Sequence, residues 1–543
     1  MNSFHQKIIA ATIISTLSTL STLGGSFSAS ATTATTAAQT PQKAAVQITI
    51  DTKKTGPVIN KNIYGQFAEH LGTGVYEGMW VGPESPIPNT RGWRNDVIGA
   101  LKKMHVPLVR WPGGCFADEY HWRDGIGARE QRPVKMNTNW GNVEERNAVG
   151  THEFFDLADQ LGADTYVNGN LGSGTPQEMA EWMEYLTGDG KSSLAELRRK
   201  HGRDKPFKVD FFGVGNEAWG CGGNMTVQHY TSLYNQYASF LKAPKDYMPK
   251  IIASGGHDDD TTWTDYLSKN IHEQWNMRFD GLSFHYYTVP TGVWEKKGAA
   301  TGFAEDQWIS TLKNTLRMDS LIKNNLAKLV KNDPQNKLSF NVDEWGTWYD
   351  VEPGTNAGFL YQQNSLRDAL VAALNFNIFH SHAERVKMTN IAQMVNVLQA
   401  MILTEKDKML LTPTYHVFEM YVPFQNAQFL PLTIKNNPDY RLGKTSIPTI
   451  SASSARAVDG KLVLSLVNTN PNQAAEVEVN LTGEKISKLT GRVLTATAMD
   501  AHNTFANPAA VQPVVLNANA MQLKEGKLQL SIPAKSVVVV RLE

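Results

Sequence analysis

Asp210-Phe211-Phe212-Gly213-Val214-Gly215-Asn216-Glu217 is the segment from which the architecture of this chain can be predicted. It is a short apolar run without proline, and it ends in an amide and a carboxylate. Leu338-Ser339-Phe340-Asn341-Val342-Asp343-Glu344-Trp345, far downstream, has the same form. Buried parallel strands are almost continuously apolar and become polar only at their ends. An α/β barrel places the ends of its parallel strands at one rim, so the two stretches predict that Glu217 and Glu344 meet there.

Strand and helix signals alternate on both sides of these stretches, from about Pro57 to Phe424. Eight strands with intervening helices predict an enlarged (β/α)8 TIM barrel over residues 57–424. The alternative, a doubly wound open sheet, requires a glycine-rich phosphate loop after an early strand, and the sequence has none. The predicted strands are Ile63–Glu69, Leu108–Trp111, Asp164–Asn168, Asp210–Glu217, Ile251–Gly255, Leu282–Tyr287, Leu338–Glu344 and Arg385–Met388. Predicted helices include Thr151–Leu161, Met225–Lys242, Gln307–Lys331 and Phe359–Asn375.

The pattern changes after Phe424, where short strand-like runs are separated by Asn, Gly and Pro. This pattern predicts a C-terminal β-sandwich of the jelly-roll type over residues 425–543. Val46–Asp51 has the same alternating character. We therefore expect residues 45–56 to add an N-terminal strand to that sandwich, so that the chain starts and ends in one domain.

The N-terminal residues resemble a targeting segment. Lys7 precedes the apolar and hydroxyl stretch Ile8–Leu23, and Ala29-Ser30-Ala31 follows. This order predicts a signal peptide over residues 1–31, a flexible tail over 32–44, and a secreted or periplasmic protein. A membrane anchor would need about 20 strongly apolar residues, so no membrane association is expected of the mature form.

The composition is that of a globular protein with no strong net charge. Of 543 residues, 41% are hydrophobic and 19% charged, and Lys+Arg equals Asp+Glu at 52 each. This balance disfavours nucleic acid and anionic membranes as partners, since both select basic surfaces. The two cysteines, Cys115 and Cys221, exclude a disulfide framework. They could be buried thiols, a single bridge, or include one thiol that contacts a substrate.

Paired carboxyl groups are the usual means of cleaving glycosidic bonds, one protonating the leaving oxygen while the other attacks or activates water. The motifs around Glu217 and Glu344 resemble those of glycoside hydrolase family 51, the α-L-arabinofuranosidases. Five motif regions carry the resemblance, in family order: Phe67–His70, Arg110–Asp118 with His121–Gly125, Gly215–Met225, Asp343–Tyr349 and Asn390–Asn396.

The resemblance implies a role for each catalytic residue. Glu217 would be the general acid/base, which has to carry a proton near neutral pH. Glu344 would be the nucleophile that forms a covalent arabinosyl-enzyme. Asn216 would donate a hydrogen bond to the sugar 2-hydroxyl. The two carboxyl groups should then lie about 5 Å apart, the separation of retaining enzymes.

Further residues are implied as substrate-binding by the same resemblance. Glu69 and Gln393 would bind sugar hydroxyls, and Arg110 would hold the charge of the nucleophile. His285 and Tyr287 lie two residues apart on one strand and therefore face the same way. Trp348 and Trp140 would form walls of the pocket by stacking. At Cys115 many family members have asparagine, and a thiol is a weaker hydrogen-bond partner there.

The sequence therefore predicts a retaining, exo-acting α-L-arabinofuranosidase that needs no metal or other cofactor. Its partners would be arabinose-containing polysaccharides and oligosaccharides, and the family resemblance implies a homo-hexamer. Two alternatives remain: an endo-β-glucanase or xylanase on the same barrel, and a sugar-binding or scaffold protein with an inactive barrel. Because both carboxylates are present, the second alternative is disfavoured.

Overall fold

The structure of the protein is a computed structural model that describes residues 45–275, 277–524 and 526–543. In these ranges the helices, in chain order, are α1 (Asn95–Lys103), α2 (Thr151–Leu161), α3 (Pro176–Thr187), α4 (Ser193–Lys200), α5 (Val227–Phe240), α6 (Thr262–Asn270), α7 (Glu305–Asn332), α8 (Leu366–Ser381) and α9 (Pro413–Tyr421). None of the helices seen in these ranges has the length and apolar content needed to cross a bilayer.

The strands up to the last helix are an N-terminal strand, which belongs to the C-terminal sandwich, and the strands of the barrel and its hairpins. In chain order they are β1 (Val46–Asp51), β2 (Gly65–Phe67), β3 (Asn89–Thr90), β4 (Trp93–Arg94), β5 (Leu108–Trp111), β6 (Lys135–Asn137), β7 (Val143–Glu145), β8 (Asp164–Gly169), β9 (Phe211–Val214), β10 (Lys250–Ala253), β11 (Gly281–Thr288), β12 (Ser339–Thr347), β13 (Val386–Ala392), β14 (Ile402–Glu405) and β15 (Lys408–Leu411).

The remaining strands follow the last helix. They are β16 (Gln428–Phe429), β17 (Leu432–Lys435), β18 (Asp439–Leu442), β19 (Thr445–Pro448), β20 (Ile450–Arg456), β21 (Leu462–Asn468), β22 (Ala475–Thr482), β23 (Leu489–Leu494), β24 (Val514–Val515), β25 (Met521–Lys524), β26 (Lys527–Ile532) and β27 (Ser536–Leu542).

Within the described residues, eight parallel strands close into a barrel in the order β2-β5-β8-β9-β10-β11-β12-β13. Each strand pairs with the next along the chain, and β13 closes the ring on β2 through the Asn390–Gly65 register. At least one helix lies between each strand and the next. The predicted TIM barrel is therefore confirmed, and the carboxyl ends of all eight strands point to one rim.

The helix predicted to begin at Phe359 begins instead at Leu366. Ser365 caps it: the Ser365 hydroxyl accepts from the Arg367 backbone N–H at 3.2 Å, and the Asp368 carboxylate accepts from the Ser365 N–H at 2.7 Å. Capping boxes of this kind fix the first turn of a helix. The apolar residues before Ser365 belong to a loop above the barrel rim.

A β-sandwich follows the barrel, as predicted. One sheet has the order β17-β1-β22-β26-β25 and the other the order β16-β20-β21-β27-β23-β24. In β22 the residues alternate between buried and exposed, because valine and other apolar residues alternate with Glu and Asn. The N-terminal strand β1 lies parallel to β22, with Val46 opposite Val477, and antiparallel to β17.

The sandwich packs against α7 and α8 of the barrel. Ser465 on β21 donates to the Asn377 side chain on α8 at 2.7 Å, and His380 on the same helix lies 2.8 Å from the Ser453 hydroxyl. Trp308 on α7 is fully buried, and its Nε1–H donates to the Thr469 carbonyl at 2.9 Å. Helices α7 and α8 thus belong to the barrel and also form its interface with the sandwich.

Replacing Trp308 by alanine is expected to lower the free energy of unfolding by about 3–5 kcal/mol, because a fully buried indole and its hydrogen bond are lost. The midpoint of thermal denaturation, followed by circular dichroism, measures the effect. Trp275→Ala is the control, because the Trp275 side chain is 92% exposed and its removal should change the midpoint little. Equal shifts in the two variants would contradict the account of this contact.

Candidate active site

The ten residues singled out by the sequence lie in one connected group at the carboxyl ends of the barrel strands. Six of the eight strands, or the loops that follow them, supply these residues. The ten residues are Glu69, Arg110, Cys115, Asn216, Glu217, His285, Tyr287, Glu344, Trp348 and Gln393. This is the end of a TIM barrel at which active sites are found.

Glu344 lies on β12 and is almost completely buried. Its Oε1 accepts from Arg110 Nη1 at 2.8 Å, and its Oε2 accepts from the Tyr287 hydroxyl at 2.9 Å. The loop after β5 approaches so closely that a Cβ at Gly114 would lie 2.6 Å from Glu344 Oε1. Only glycine fits at this position. The Glu344 carboxylate thus accepts hydrogen bonds from two side chains and packs closely against the backbone of Gly114.

Glu217 follows β9 in a tight turn and is half-buried. Its φ of 40° is unusual for a residue with a side chain and is a form of backbone strain found at functional sites. The backbone N–H groups of Gly220 and Gly222 donate to the Glu217 carbonyl at 2.7 and 3.1 Å and hold the turn closed. The turn aims the Glu217 carboxyl group at β11.

His285 on β11 lies between three carboxyl groups. Its Nδ1 lies 2.9 Å from Glu217 Oε1 and 3.5 Å from Glu344 Oε2, and its Nε2 lies 3.3 Å from Asp343 Oδ1. Burial lowers the pKa of His285, but Glu344, Asp343 and Glu217 outweigh burial and raise the pKa to about 10. The imidazole therefore carries a positive charge at neutral pH. One carboxylate oxygen of Glu217 and one of Glu344 lie within 4.8 Å of each other and of this ring.

Arg110 connects the nucleophile candidate to the acid/base loop. Besides Glu344, its guanidinium donates to Asn216 Oδ1 at 2.6 Å and to the Asp343 carbonyl at 3.2 Å. It also lies over the Phe67 ring, 4.6 Å from the centroid. Burial opposes its charged form, but Asp343 and Glu344 raise the pKa of Arg110 above its ordinary value. Arg110 therefore supplies a permanent positive charge.

Glu69 is anchored on the opposite side of the pocket. Its Oε1 accepts from the Gly114 and Phe116 backbone N–H groups and from Trp140 Nε1, each at 3.0 Å. Its Oε2 accepts from Gln393 Nε2 at 3.1 Å. Burial, followed by the charge of Glu344, raises the pKa of Glu69 to about 7. With three donors already on Oε1, Oε2 is the oxygen left with capacity for a further hydroxyl.

Asp343 and Asp118 hold the residues of the active site in place. The sequence analysis predicts no role for either of them. A β-bulge opposite His285 places Asp343 on the same face as Glu344, whereas successive residues of a regular strand face opposite ways. Although burial opposes ionisation, Arg110 and His285 hold the pKa of Asp343 below its ordinary value. Asp118 lies in the motif region Arg110–Asp118 and Asp343 in Asp343–Tyr349, and this position is the only indication of function that the sequence offers for them.

The Asp118 carboxylate ties three loops together. Its Oδ1 accepts from the Leu171 and Gly172 backbone N–H groups at 2.8 and 2.7 Å, and its Oδ2 accepts from the Asn216 N–H at 2.8 Å. These donors belong to the loops after β8 and β9, while Asp118 belongs to the loop after β5. Asn216 is consequently fixed through both its backbone and its side chain.

Cys115 and Cys221 form a disulfide bond that joins the loops after β5 and β9. Of the three states that the sequence left open, the structure selects the single bridge. The expected thiol contact from Cys115 is therefore wrong, because a disulfide has no S–H to donate. The sulfur of Cys221 lies 3.4 Å from Glu217 Oε2, so the bridge borders the acid/base candidate.

A cavity of about 580 Å³ opens from Glu217, His285, Tyr287 and Trp348 toward the solvent. On one side, Trp219 stacks on His257 with ring centroids 3.7 Å apart. On the other, Trp294 packs edge-on against Trp348, with centroids 4.8 Å apart. Further out the cavity is lined by Asp258, Asp259, Asn314 and Arg317. Aromatic walls with a polar far end are suited to binding sugar rings.

Two family models match the chain. The model described as "Alpha-L-arabinofuranosidase 1 domain" matches residues 100–299, and the one described as "Alpha-L-arabinofuranosidase C-terminal domain" matches residues 343–536. A Bacteroides ovatus protein described as "Intracellular exo-alpha-L-arabinofuranosidase" is 46% identical over 502 residues, which cover 92% of this chain and 96% of the relative.

Solved structures agree with this relationship. The crystal structure of a family 51 glycoside hydrolase, the arabinofuranosidase of Xanthomonas axonopodis pv. citri, superposes with a TM-score of 0.89 at 50% identity and covers 92% of this chain and 100% of that one. The Thermotoga maritima α-L-arabinofuranosidase in complex with arabinose gives a TM-score of 0.75 at 28% identity, over 92% and 99% of the two chains.

The comparison with the Bacteroides ovatus relative overturns one prediction. A secreted or periplasmic location was predicted from the N-terminal residues, but this relative, which covers nearly the whole chain, is described as intracellular. A basic residue before an apolar, hydroxyl-rich stretch is a compositional signal only, and such a signal does not establish export. The signal peptide predicted over residues 1–31 and the tail over 32–44 lie outside the described residues.

The charge on His285 gives a pH dependence with a defined sign. Because its pKa is raised from 6.5 to about 10, its contribution to stability is complete below about pH 6.5 and is lost as the pH rises through about 10. The difference in thermal midpoint between the wild type and His285→Gln should therefore shrink between pH 6.5 and pH 10. His229→Gln, on the exposed face of α5, is the control and should differ from the wild type equally at every pH. A constant difference for His285→Gln would show that the ring is neutral in the folded protein.

Proposed function

The chain belongs to glycoside hydrolase family 51, the α-L-arabinofuranosidases, and from this membership we propose that it is a retaining, exo-acting enzyme. Its substrates are terminal α-L-arabinofuranosyl groups of arabinoxylan, arabinan and arabino-oligosaccharides. The observation that carries the proposal is the approach of Glu217 and Glu344 to within 4.8 Å around His285. Retaining glycosidases have carboxyl groups about 5–5.5 Å apart, whereas inverting enzymes need about 6.5–9.5 Å to admit a water molecule.

Glu344 acts as the nucleophile. Arg110 and Tyr287 hold its two oxygens and orient the carboxylate toward the open side of the pocket. Attack on the anomeric carbon forms a carboxylate–sugar ester as the bond to the leaving oxygen breaks. The charge of the carboxylate is consumed in this step, and the buried guanidinium then stands beside a neutral ester.

Glu217 acts as the general acid and then as the general base. In the first step its proton passes to the leaving oxygen, and in the second step it removes a proton from the water that hydrolyses the ester. His285 contacts both carboxylates, so it orients Glu217 and offsets the charge that develops there. Asn216, fixed by Arg110 and Asp118, presents its amide nitrogen for the sugar 2-hydroxyl.

The furanose binds between Glu69 and the catalytic pair. Glu69 Oε2 and the Gln393 amide are the groups placed for its hydroxyls, and Trp140 supports Glu69 from the side. The leaving group extends into the aromatic cavity, because Glu217 lies at the inner end of that cavity. The name of the Bacteroides ovatus relative, an exo-acting enzyme, supports removal of single terminal groups.

The assembly and the division of the chain are part of the proposal. We propose a homo-hexamer of 60.1 kDa chains, which light scattering of the purified protein tests directly. We also propose an N-terminal strand over residues 45–56, a barrel over 57–424 and a sandwich over 425–543. The two sandwich sheets, of which one includes β1, support these boundaries.

The roles of the two glutamates predict different responses to substitution. Glu344→Ala should lower kcat/KM by about 10⁴-fold or more on every arabinofuranoside, because no ester can form. Glu217→Ala should lower kcat/KM by about 10²–10⁴-fold on arabinoxylo-oligosaccharides, but by much less on a nitrophenyl arabinofuranoside, whose leaving group needs little protonation.

Glu196→Ala, in an exposed position on α4, is the matched control and should retain full activity. Equal losses of Glu217→Ala on the two substrates would contradict its assignment. Proton NMR of the first product identifies the anomer: α-L-arabinofuranose supports retention, and the β-anomer refutes it. Cleavage of unsubstituted xylan or β-glucan would favour the endo-acting alternative.

The aromatic cavity predicts a dependence on the leaving group. Trp219→Ala should raise KM for arabinoxylo-oligosaccharides by about 2–10-fold, since loss of a sugar-stacking face costs about 0.5–1.5 kcal/mol. KM for the nitrophenyl substrate should change much less, because its leaving group does not extend along the cavity. Trp275→Ala is the control for a tryptophan elsewhere on the surface. A similar change of KM for both substrates would remove Trp219 from leaving-group binding.

A further inference from the structure

The sulfur atoms of Cys115 and Cys221 stand at the edge of the catalytic site, yet the proposed mechanism does not use them. They come from the loops after β5 and β9, and their Cα atoms are 5.5 Å apart. The acid/base candidate borders them, because Cys221 Sγ lies 3.4 Å from Glu217 Oε2. Two sulfurs and one carboxylate oxygen thus share a corner of the pocket.

We propose that reduction of the Cys115–Cys221 disulfide creates a binding site for a thiophilic divalent cation such as Zn²⁺, with Glu217 as the third ligand. Occupancy of this site stops turnover. The binding of the cation depends only on the three side chains. The loss of turnover rests on the proposed function, because it requires Glu217 to be the acid/base.

The spacing of the three groups fits a tetrahedral zinc ion. One ligand atom from each of the three residues lies within 4.8 Å of the others. With Zn–S bonds of about 2.3 Å and Zn–O bonds of about 2.0 Å, a tetrahedral ion separates a sulfur from an oxygen by about 3.5 Å and two sulfurs by about 3.8 Å. The observed sulfur–oxygen distance of 3.4 Å already matches the first value. Two thiols released from the bond need to separate by only a small rotation to reach the second.

The surroundings favour the thiolate form that a metal requires. The Asn216 side-chain amide points at Cys221 Sγ, with nitrogen and sulfur 3.9 Å apart, and donors of this kind stabilise a thiolate. Cys221 is exposed and Cys115 is half-buried, so a cation reaches the sulfurs from solvent. Three protein ligands leave the fourth position of the ion to water.

The chemistry balances with an added dithiol as the reductant. Dithiothreitol gives two electrons and two protons to the disulfide, which becomes two thiols, while dithiothreitol closes into its cyclic disulfide. Binding of Zn²⁺ then releases the thiol protons to solvent and leaves two thiolates and the Glu217 carboxylate around the ion. In this state the ion holds Glu217 as a carboxylate, with Oε2 on the metal and Oε1 beside His285 Nδ1, so Glu217 does not carry the proton that the leaving group needs.

A second group of ligands has to be distinguished from this one. Glu217, His285 and Glu344 also bring ligand atoms within 4.8 Å of one another. That group contains no sulfur, and its composition does not change with the state of the disulfide. A cation bound there would therefore act equally on the oxidised and the reduced protein, and on cysteine variants.

The test compares the full-length protein before and after reduction, with the reductant removed under anaerobic conditions. Bound zinc is measured by equilibrium dialysis, and activity is measured as the release of arabinose from arabinoxylo-oligosaccharides, whose leaving group needs the proton of Glu217. The reduced protein should bind one zinc ion per chain and lose activity by about 100-fold at saturation, and EDTA should restore it. The oxidised protein should bind none and keep its activity. Cobalt(II) in place of zinc should give a thiolate charge-transfer band only in the reduced protein.

Cys115→Ser, Cys221→Ser and Glu217→Gln each remove one ligand, and each is compared with its own metal-free state. All three should bind zinc at least 10-fold more weakly than the reduced wild type. Absence of zinc binding or of the cobalt band overturns the site and says nothing against the role of Glu217. Binding with undiminished activity overturns the inhibition and counts against Glu217 as the acid/base. Equal inhibition of the oxidised protein assigns the effect to the carboxylate–histidine group and also overturns the proposal.

Discussion

The neutralisation of buried carboxylates by Arg110 and His285 is the interaction on which the site depends. Glu344 and Asp343 on β12 and Glu217 after β9 are crowded together at one rim of the barrel, and isolated buried charges would be prohibitively unfavourable. Arg110 contacts the first two, and His285 contacts all three. The two cations therefore make it possible for a nucleophile and an acid to lie side by side at one rim of the barrel.

The local backbone follows from this crowding. Gly114 has to be glycine because the Glu344 carboxylate lies where a Cβ would be. The turn at Glu217 adopts an unfavourable φ, and hydrogen bonds within the turn and from the Asn216 N–H to the Asp118 carboxylate hold it in place. A β-bulge brings Asp343 and Glu344 to the same face of β12. Each irregularity positions a functional group that regular secondary structure would direct elsewhere.

Much of the architecture could be predicted from the sequence, because buried parallel strands leave a simple apolar pattern. All eight barrel strands are predicted, and β5 and β1 have the predicted bounds. The start of α8 was missed, because the capping box at Ser365 has no hydrophobic signal of its own. The N-terminal residues were read as an export signal, an interpretation that the comparison with an intracellular relative contradicts.

Site residues that stand at the end of a strand could be predicted from the sequence. Contacts between residues of two distant loops could not. Glu217 and Glu344 follow from the strand pattern, and the resemblance to a family added Glu69, Arg110 and Gln393. The pairing of Cys115 with Cys221 depends on the distance between two loops 106 residues apart, which no local pattern encodes. Asp343 was hidden by the bulge, since simple alternation along β12 directs it away from the pocket.

The position of β1 has a consequence for synthesis on the ribosome. Thr52 at the end of this strand bonds to Thr482, 430 residues later. At about 5–20 residues per second, the ribosome needs roughly 20–90 seconds to make the intervening chain. The barrel strands, each paired with the next in sequence, emerge completely within that interval. Among the described strands, the first to leave the exit tunnel is thus among the last to find its neighbours, and it remains unpaired until the C-terminal domain is synthesised.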